Sequence, residues 1–174
     1  GLAVRTPREG EVRIPSGCAI CGYFSRDGRA LPASDAVGAM SYMHERSNGL
    51  GGGFAGYGIY PDFPDDYAFH VFYDDDRARE ETEAILNARF DIVNTERIPT
   101  RKMYGIKGAP RIWRYFGKLL PEVMARTELD EEEYVCRLVF HINTDVKGAY
   151  VFSSGKNMGV FKGVGYPEDV GEYY

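Results

Sequence analysis

The sixteen residues Gly148 to Gly163, GAYVFSSGKNMGVFKG, constrain the fold of this chain most. Two β-prone runs flank Gly-Lys-Asn, the composition of a tight hairpin connection. An antiparallel pair near the C-terminal end is therefore expected. Two further aromatic runs, GFAGYGIYP and YAFHVFYDD, read as strands joined by the acidic, proline-bearing loop DFPDD. DIVNTERIPT reads as another strand, and so do the eight residues from Cys18 to Ser25.

Helical signals lie between these runs. Ser34 caps a segment reaching about Arg46, with Val37, Met40 and His44 on one stripe. SNGLGGG closes it, Asn48-Gly49 supplying the positive φ a helix end needs. Asp75 or Asp76 caps a helix over about 77–89 that turns Ala78, Ile85 and Leu86 inward. Residues 110–124 place Ile112, Phe116, Leu119 and Val123 on one side, which predicts a helix broken or kinked at Pro121. LDEEE then leads into YVCRLVFHIN, read as a strand. The expected fold class is α+β with mainly antiparallel pairing.

Length and charge narrow the class further. The 174 residues suffice for one domain, or one domain with an insertion, without covalent staples. A net charge of −5 argues against nucleic acid as a partner. No run approaches the roughly 18 apolar residues of a spanning helix. The first 17 residues carry Arg5, Arg8 and Arg13 with Pro7 and Pro15, and lack the apolar centre of a secretory signal. They read as a leader or propeptide, and the protein as cytoplasmic. The three cysteines (Cys18, Cys21 and Cys136) make no disulfide framework.

Two motifs invite chemistry. Cys18-Ala-Ile-Cys21 is a C-x-x-C, but a redox pair opens a helix, whereas this one lies in an expected strand whose i and i+3 side chains face opposite ways. A zinc site needs two more ligands, and Cys136, His44, His70 and His141 are isolated in sequence. Buried strand cysteines are the plainer reading, and no metal site is assigned. Gly51-Gly-Gly53-Phe-Ala-Gly56 fits G-x-G-x-x-G but follows a helix and precedes a strand, the reverse of a dinucleotide site. Its glycines instead permit sharp turning and close backbone approach. The three histidines read as structural or surface residues.

The stretch from Cys18 to Tyr60 resembles the start of a class II glutamine amidotransferase. Those domains open with Cys-Gly-Ile-x-Gly, followed by a helix and Leu-x-x-Arg-Gly-x-Asp-x-x-Gly. Here CAICGYF matches at Cys18, Ile20 and Gly22, with Ala19 in place of glycine, and MHERSNGLGG matches at Met43, Arg46 and Gly52. Ser47 and Gly49 depart from the usual glycine and aspartate. SNGLGGGFAGYGIYP and GAYVFSSGKNMGVFKGVGYPEDV resemble more narrowly the glutamate-synthase-like prokaryotic subgroup, over nearly all of 15–172.

The resemblance implies an N-terminal-nucleophile αββα sandwich, present in part. Residues 18–73 and 148–174 would form the core and 74–147 an inserted β-α-β-like subdomain. It implies Cys18 as nucleophile attacking the side-chain amide of glutamine, with its own α-amino group as base. Arg46 would support the nucleophile strand from behind; the alternative for Arg46 is an ordinary helix-end cation. No cofactor belongs to this chain. The implied partner is an ammonia-consuming synthase subunit carrying FMN and iron–sulfur clusters. Cys18 follows Gly17, so the base exists only after residues 1–17 are removed. The family's substrate-binding arginine, oxyanion-hole Asn-Gly pair and glutamine-binding aspartate fall beyond the matched words. A C-terminal continuation or second chain is expected to supply them. The competing reading is a non-catalytic assembly subunit.

Overall fold

In a computed structural model of the protein, residues 18–106 and 109–174 are described. The proposed leader, residues 1–17, lies outside them. The chain is α+β, with antiparallel sheets. Helix α1 (Ala33–Ser41) and a 3-10 turn (His44–Arg46) precede strands β1 (Gly52–Tyr57) and β2 (Tyr67–Tyr73). Then come α2 (Asp76–Asn87), β3 (Phe90–Arg97), β4 (Arg111–Leu119) and the short α3 (Pro121–Met124). Helix α4 (Glu131–Asp145), β5 (Ala149–Lys156), β6 (Met158–Gly163) and α5 (Pro167–Tyr173) complete the order.

Strands β3-β4-β2-β5, in that spatial order, form one antiparallel sheet. The chain order β2-α2-β3-β4-α4-β5 makes this a ferredoxin-like, split β-α-β arrangement. Helices α2 and α4 cover one face. Tyr67, Phe69, Val71 and Tyr73 of β2 point there, against Ala78 and Leu86 of α2 and Val135, Leu138 and Ile142 of α4. The alternate residues, Ala68, His70 and Phe72, face the other way, toward the antiparallel ribbon of β1 and β6. Thus β2 is buried on both sides, as its almost uninterrupted apolar sequence requires.

Residues 74–147 do not form an insertion with a cluster of their own. Strands β3 and β4 pair into the sheet with β2, which was assigned to the core. Leu86 and Leu138 share one apolar cluster with Phe69 and Val151. Phe116 lies on the opposite face with Tyr60 and Ala68, and Phe140 is exposed. The α/β unit therefore runs from β2 through β5, taking in strands from both sides of the proposed boundary.

Three local expectations are also corrected. Residues 111–119 are a strand. The spacing of Ile112, Phe116 and Leu119 imitates a helix because β4 is buried on both faces, so Trp113 and Tyr115 also turn inward and the period is lost. Pro121 starts α3 at its first turn. Residues 131–145 are a helix, not a strand. Asp130 accepts a hydrogen bond from the Glu133 amide, Glu131–Glu133 fill the positive end of the helix, and Val135, Leu138 and Ile142 fall on one stripe. Residues 18–25 form no strand, because no described segment pairs with them; Ile20 is 97% exposed and Phe24 81%.

The C-terminal hairpin signal has a different outcome from a simple two-stranded unit. Asn157 turns the chain with φ +47°. Strand β5 joins β2, while β6 peels away to pair with β1. Asn157 fixes that divergence: its side-chain oxygen accepts from the Tyr60 amide (2.9 Å) and its carbonyl from the Gly58 amide (2.7 Å).

The ribbon lies so close to the sheet that one position must be glycine. A Cβ at Gly159 would stand 2.7 Å from His70 Cε1 and 2.8 Å from Tyr60 Oη. Gly159→Ala should therefore overpack a buried site and cost about 1–3 kcal/mol, read as a lower urea midpoint at unchanged m-value. An unchanged midpoint would show that the ribbon does not hold this approach in solution.

Candidate functional site

Cys18 and Cys21 lie in the irregular segment before α1, and both thiols are free and exposed. The expectation that Cys21 is buried behind a strand is thus corrected; without a strand there is no alternation to bury it. Cys136, on α4, is exposed too. Among the described residues no group of three or more His, Cys, Asp or Glu is placed to hold a metal ion. An exposed thiol directly after Gly17 can act as a nucleophile, but its own nitrogen is an amide there and supplies no base.

Arg46 ends the 3-10 turn and is exposed. No hydrogen bond or ion pair joins it to Cys18 among the described residues, so the structure does not bring the two candidates together. Its neighbour His44 is engaged instead. The His44 ring stacks on Tyr166 at 4.4 Å, and its Nδ1 meets the Glu168 carboxylate. Gly49 follows with φ +73°, close beneath Tyr166. Gly49 has the positive φ expected of it, but α1 begins after Pro32 and ends at Ser41 with Tyr42 as its cap, so neither Ser34 nor the glycine turn caps that helix; Gly49 instead packs against Tyr166 at the start of α5.

The densest polar chemistry sits where sequence reading placed none. His70 is fully buried at the middle of β2. Its Nδ1 lies 2.9 Å from the Val160 carbonyl, which can only accept, so that nitrogen carries the proton. Nε2 then accepts from the Tyr60 hydroxyl at 2.7 Å. Arg114 donates to the same hydroxyl oxygen at 3.1 Å and grips Glu96 through Nε (3.0 Å) and Nη2 (2.7 Å). The order Val160–His70–Tyr60–Arg114–Glu96 runs from the ribbon, across the sheet, to its β3 edge. The His70 and Tyr60 protons are both engaged, and Arg114 bonds at all three of its nitrogens, so this is a fixed tie and not a poised proton relay.

Burial lowers the His70 pKa from 6.5 to about 4, and the nearby Arg114 charge pushes the same way. Burial likewise raises the Tyr60 phenol, against the opposing pull of Arg114. A second tie lies on the helix face: Tyr73 donates to Tyr115 at 3.1 Å, Tyr115 to Glu83 at 2.9 Å, and Arg79 to Glu83 at 2.7 Å. Arg79 also lies 3.8 Å over the Trp113 ring. Two features signalled these networks in the sequence: a single histidine in an apolar strand, and arginines spaced between aromatics in RIWRYF. Neither names its partner.

Comparison with known proteins finds a likeness in sequence. A protein of Archaeoglobus fulgidus, described as an "uncharacterized protein", is 44% identical over 160 residues, which are 90% of this chain and 42% of the relative. The chain therefore spans less than half the length of that relative. No family model matches the chain. No helix among the described residues is long and apolar enough to cross a membrane.

His70 makes stability depend on acid in a definite direction. Its folded pKa is below the unfolded value, so the unfolded chain binds the proton first. The contribution is complete above pH 6.5, falls as pH drops toward 4, and is then exhausted. A gap of this size corresponds to about 3 kcal/mol. Urea unfolding at pH 7 and pH 4.5 should show most of that loss in the wild type, and His70→Gln should flatten the dependence. An equally steep loss in the variant would assign the acid sensitivity elsewhere.

Proposed function

We propose that this chain is the N-terminal part of a class II glutamine amidotransferase of the glutamate-synthase-like group, with Cys18 as its nucleophile. The observation that carries the reading is the run of residues from Cys18 to Gly22, whose leading thiol is free and exposed. A cysteine thiol has a pKa near 8.5 and is a few per cent thiolate at neutral pH. An α-amine at about 7.7–8.0 is a base matched to that task and already in position. The thiolate adds to the glutamine amide carbon, a thioester forms as ammonia leaves, and water then releases glutamate.

In this reading residues 1–17 are a leader whose removal creates the base. Arg46 supports the nucleophile segment. The αββα sandwich is the finer form of the α+β class. Ammonia passes to a synthase partner bearing FMN and iron–sulfur clusters, and this chain itself holds neither. Helices α2 and α4 on one face of the four-stranded sheet and the β1–β6 ribbon on the other are compatible with part of such a sandwich. Support also comes from the longer relative, whose further length leaves room for oxyanion donors and a substrate clamp.

The assay is ammonia release from glutamine. The chain with Gly17 bonded to Cys18 should release none. A Cys18-initiated form should alkylate faster with iodoacetamide yet remain inactive on glutamine, because each absent oxyanion donor is worth about 10²–10³ in rate. Joined to the additional polypeptide of the longer protein, the Cys18-initiated form should turn over, and Cys18→Ala should abolish it. Hydrolysis by the unprocessed chain would place the active site elsewhere. Inactivity of the processed and completed protein would instead favour a non-catalytic assembly subunit.

A further inference from the structure

The ribbon has an edge that nothing among the described residues covers. Val160 of β6 gives both its backbone groups to the four-stranded sheet: its N–H to Ser153 Oγ (3.0 Å) and its carbonyl to His70. Val160 stands opposite Ala55 of β1. In an antiparallel pair, a residue whose backbone groups point away faces a partner whose groups also point away. The N–H and C=O of Ala55, and by alternation those of Gly53 and Tyr57, therefore project from the outer edge of β1. All three residues are exposed, Tyr57 at 80%.

The other sheet edges are guarded. On β5, the Asn143 side chain accepts from the Val151 amide (2.7 Å) and donates to the Val151 carbonyl (3.0 Å), which closes that edge to a further strand. On β3, a bulge at Val93 breaks the register, and Asp91, Glu96 and Arg97 line the strand. These are the devices by which an edge avoids new pairing. Strand β1 has none of them: GGFAGY contains no charge and no proline, and its register with β6 is unbroken.

Exposed apolar side chains point to the same part of the molecule. Of fourteen large ones among the described residues, ten belong to 18–66 and 157–174, and four to 67–156. The longer stretch is thus well covered, and the shorter ones, which carry the ribbon, are not. The small residues on the outer edge of β1 let a second backbone approach without obstruction.

We infer that the outer edge of β1 is a docking site for one added β-strand, supplied by polypeptide of the kind the Archaeoglobus fulgidus relative carries outside the matched 160 residues. The strand is held by main-chain hydrogen bonds to Gly53, Ala55 and Tyr57 and brings apolar side chains onto the open ribbon face. The occupant follows from the lengths: 58% of that relative lies outside the matched region, the 42% matched subtracted from the whole, and the matched region leaves this edge open. The inference does not depend on any chemistry at Cys18.

Residue-resolved amide exchange tests it, on this chain at several concentrations and on the intact relative. In this chain the amides of Gly53, Ala55 and Tyr57 should exchange freely while Phe54 and Gly56 are protected. In the relative, the three aligned amides should be slowed about 100-fold or more. Ala55→Pro removes one outward N–H and leaves the β6 pairing intact, so this chain should keep its melting temperature. Proline at the aligned position of the relative should return the flanking edge amides to fast exchange. Free exchange at that edge in the unaltered relative would overturn the proposal. So would protection in this chain at every concentration, which means its own residues fill the edge, or protection that grows with concentration alongside a dimer in sedimentation, which means a second copy does.

Discussion

The two-sided burial of β2 governs this structure. A strand reading Tyr-Ala-Phe-His-Val-Phe-Tyr, buried along almost its whole length, needs a covering layer on each face. Helices α2 and α4 meet the first need with Leu86, Leu138 and Ile142. The second face is harder to cover, because its centre is His70. An apolar lid would strand two ring nitrogens at a cost of a few kcal/mol each. The ribbon solves this by offering a backbone carbonyl at Val160, and the Tyr60 loop offers a hydroxyl. Gly159 then follows of necessity, since only hydrogen fits between the ribbon and that pair. One polar residue in a strand thus fixes the position of a second sheet and the identity of a glycine 89 residues downstream.

Parts of this were legible in the sequence. Aromatic runs marked β1 and β2, and DIVNTERIPT marked β3; Asp75 was expected as a possible cap and does accept from Ala78; Asn48-Gly49 was expected to carry a positive φ. These features are local, and local chemistry decides them. The failures share one cause, which is that tertiary context overrode period. In β4, burial on both faces removed the alternation that marks a strand. In α4, Val135, Val139 and Ile142 carried a β-prone signal, while the decisive evidence was the Asp130 cap with its three glutamates. The split β-α-β order was not legible from spacing, because β4 inserts between β2 and β3, the two strands that flank α2 in the chain.

The candidate site divides along the same line. Cys18 and Arg46 were singled out by resemblance, and the fold leaves both exposed and apart from any shared bond among the described residues. His70, Tyr60, Arg114 and Glu96 were passed over, and they form one hydrogen-bonded chain across the ribbon face. Its closed bonding favours a structural role. A catalytic relay keeps one group free for substrate, whereas here Tyr60 donates to His70 and accepts from Arg114.

The exposed Cys18 segment and the open edge of β1 belong to one physical problem. As the proposed nucleophile, Cys18 would need its position held within about half an ångström, and an irregular segment with Ile20 and Phe24 in solvent does not hold it. Such a segment gains order by burying those side chains under further chain. A two-stranded ribbon is likewise marginal by itself and gains stability from a third strand. Both deficits lie in the part of the molecule outside the well-packed β2–β5 unit. Where one added stretch of polypeptide covers both, ordering of Cys18 should accompany protection of the β1 edge. That coupling separates two kinds of assembly: one in which added chain completes a site, and one in which it merely binds beside it and leaves the cysteine segment as exposed as before.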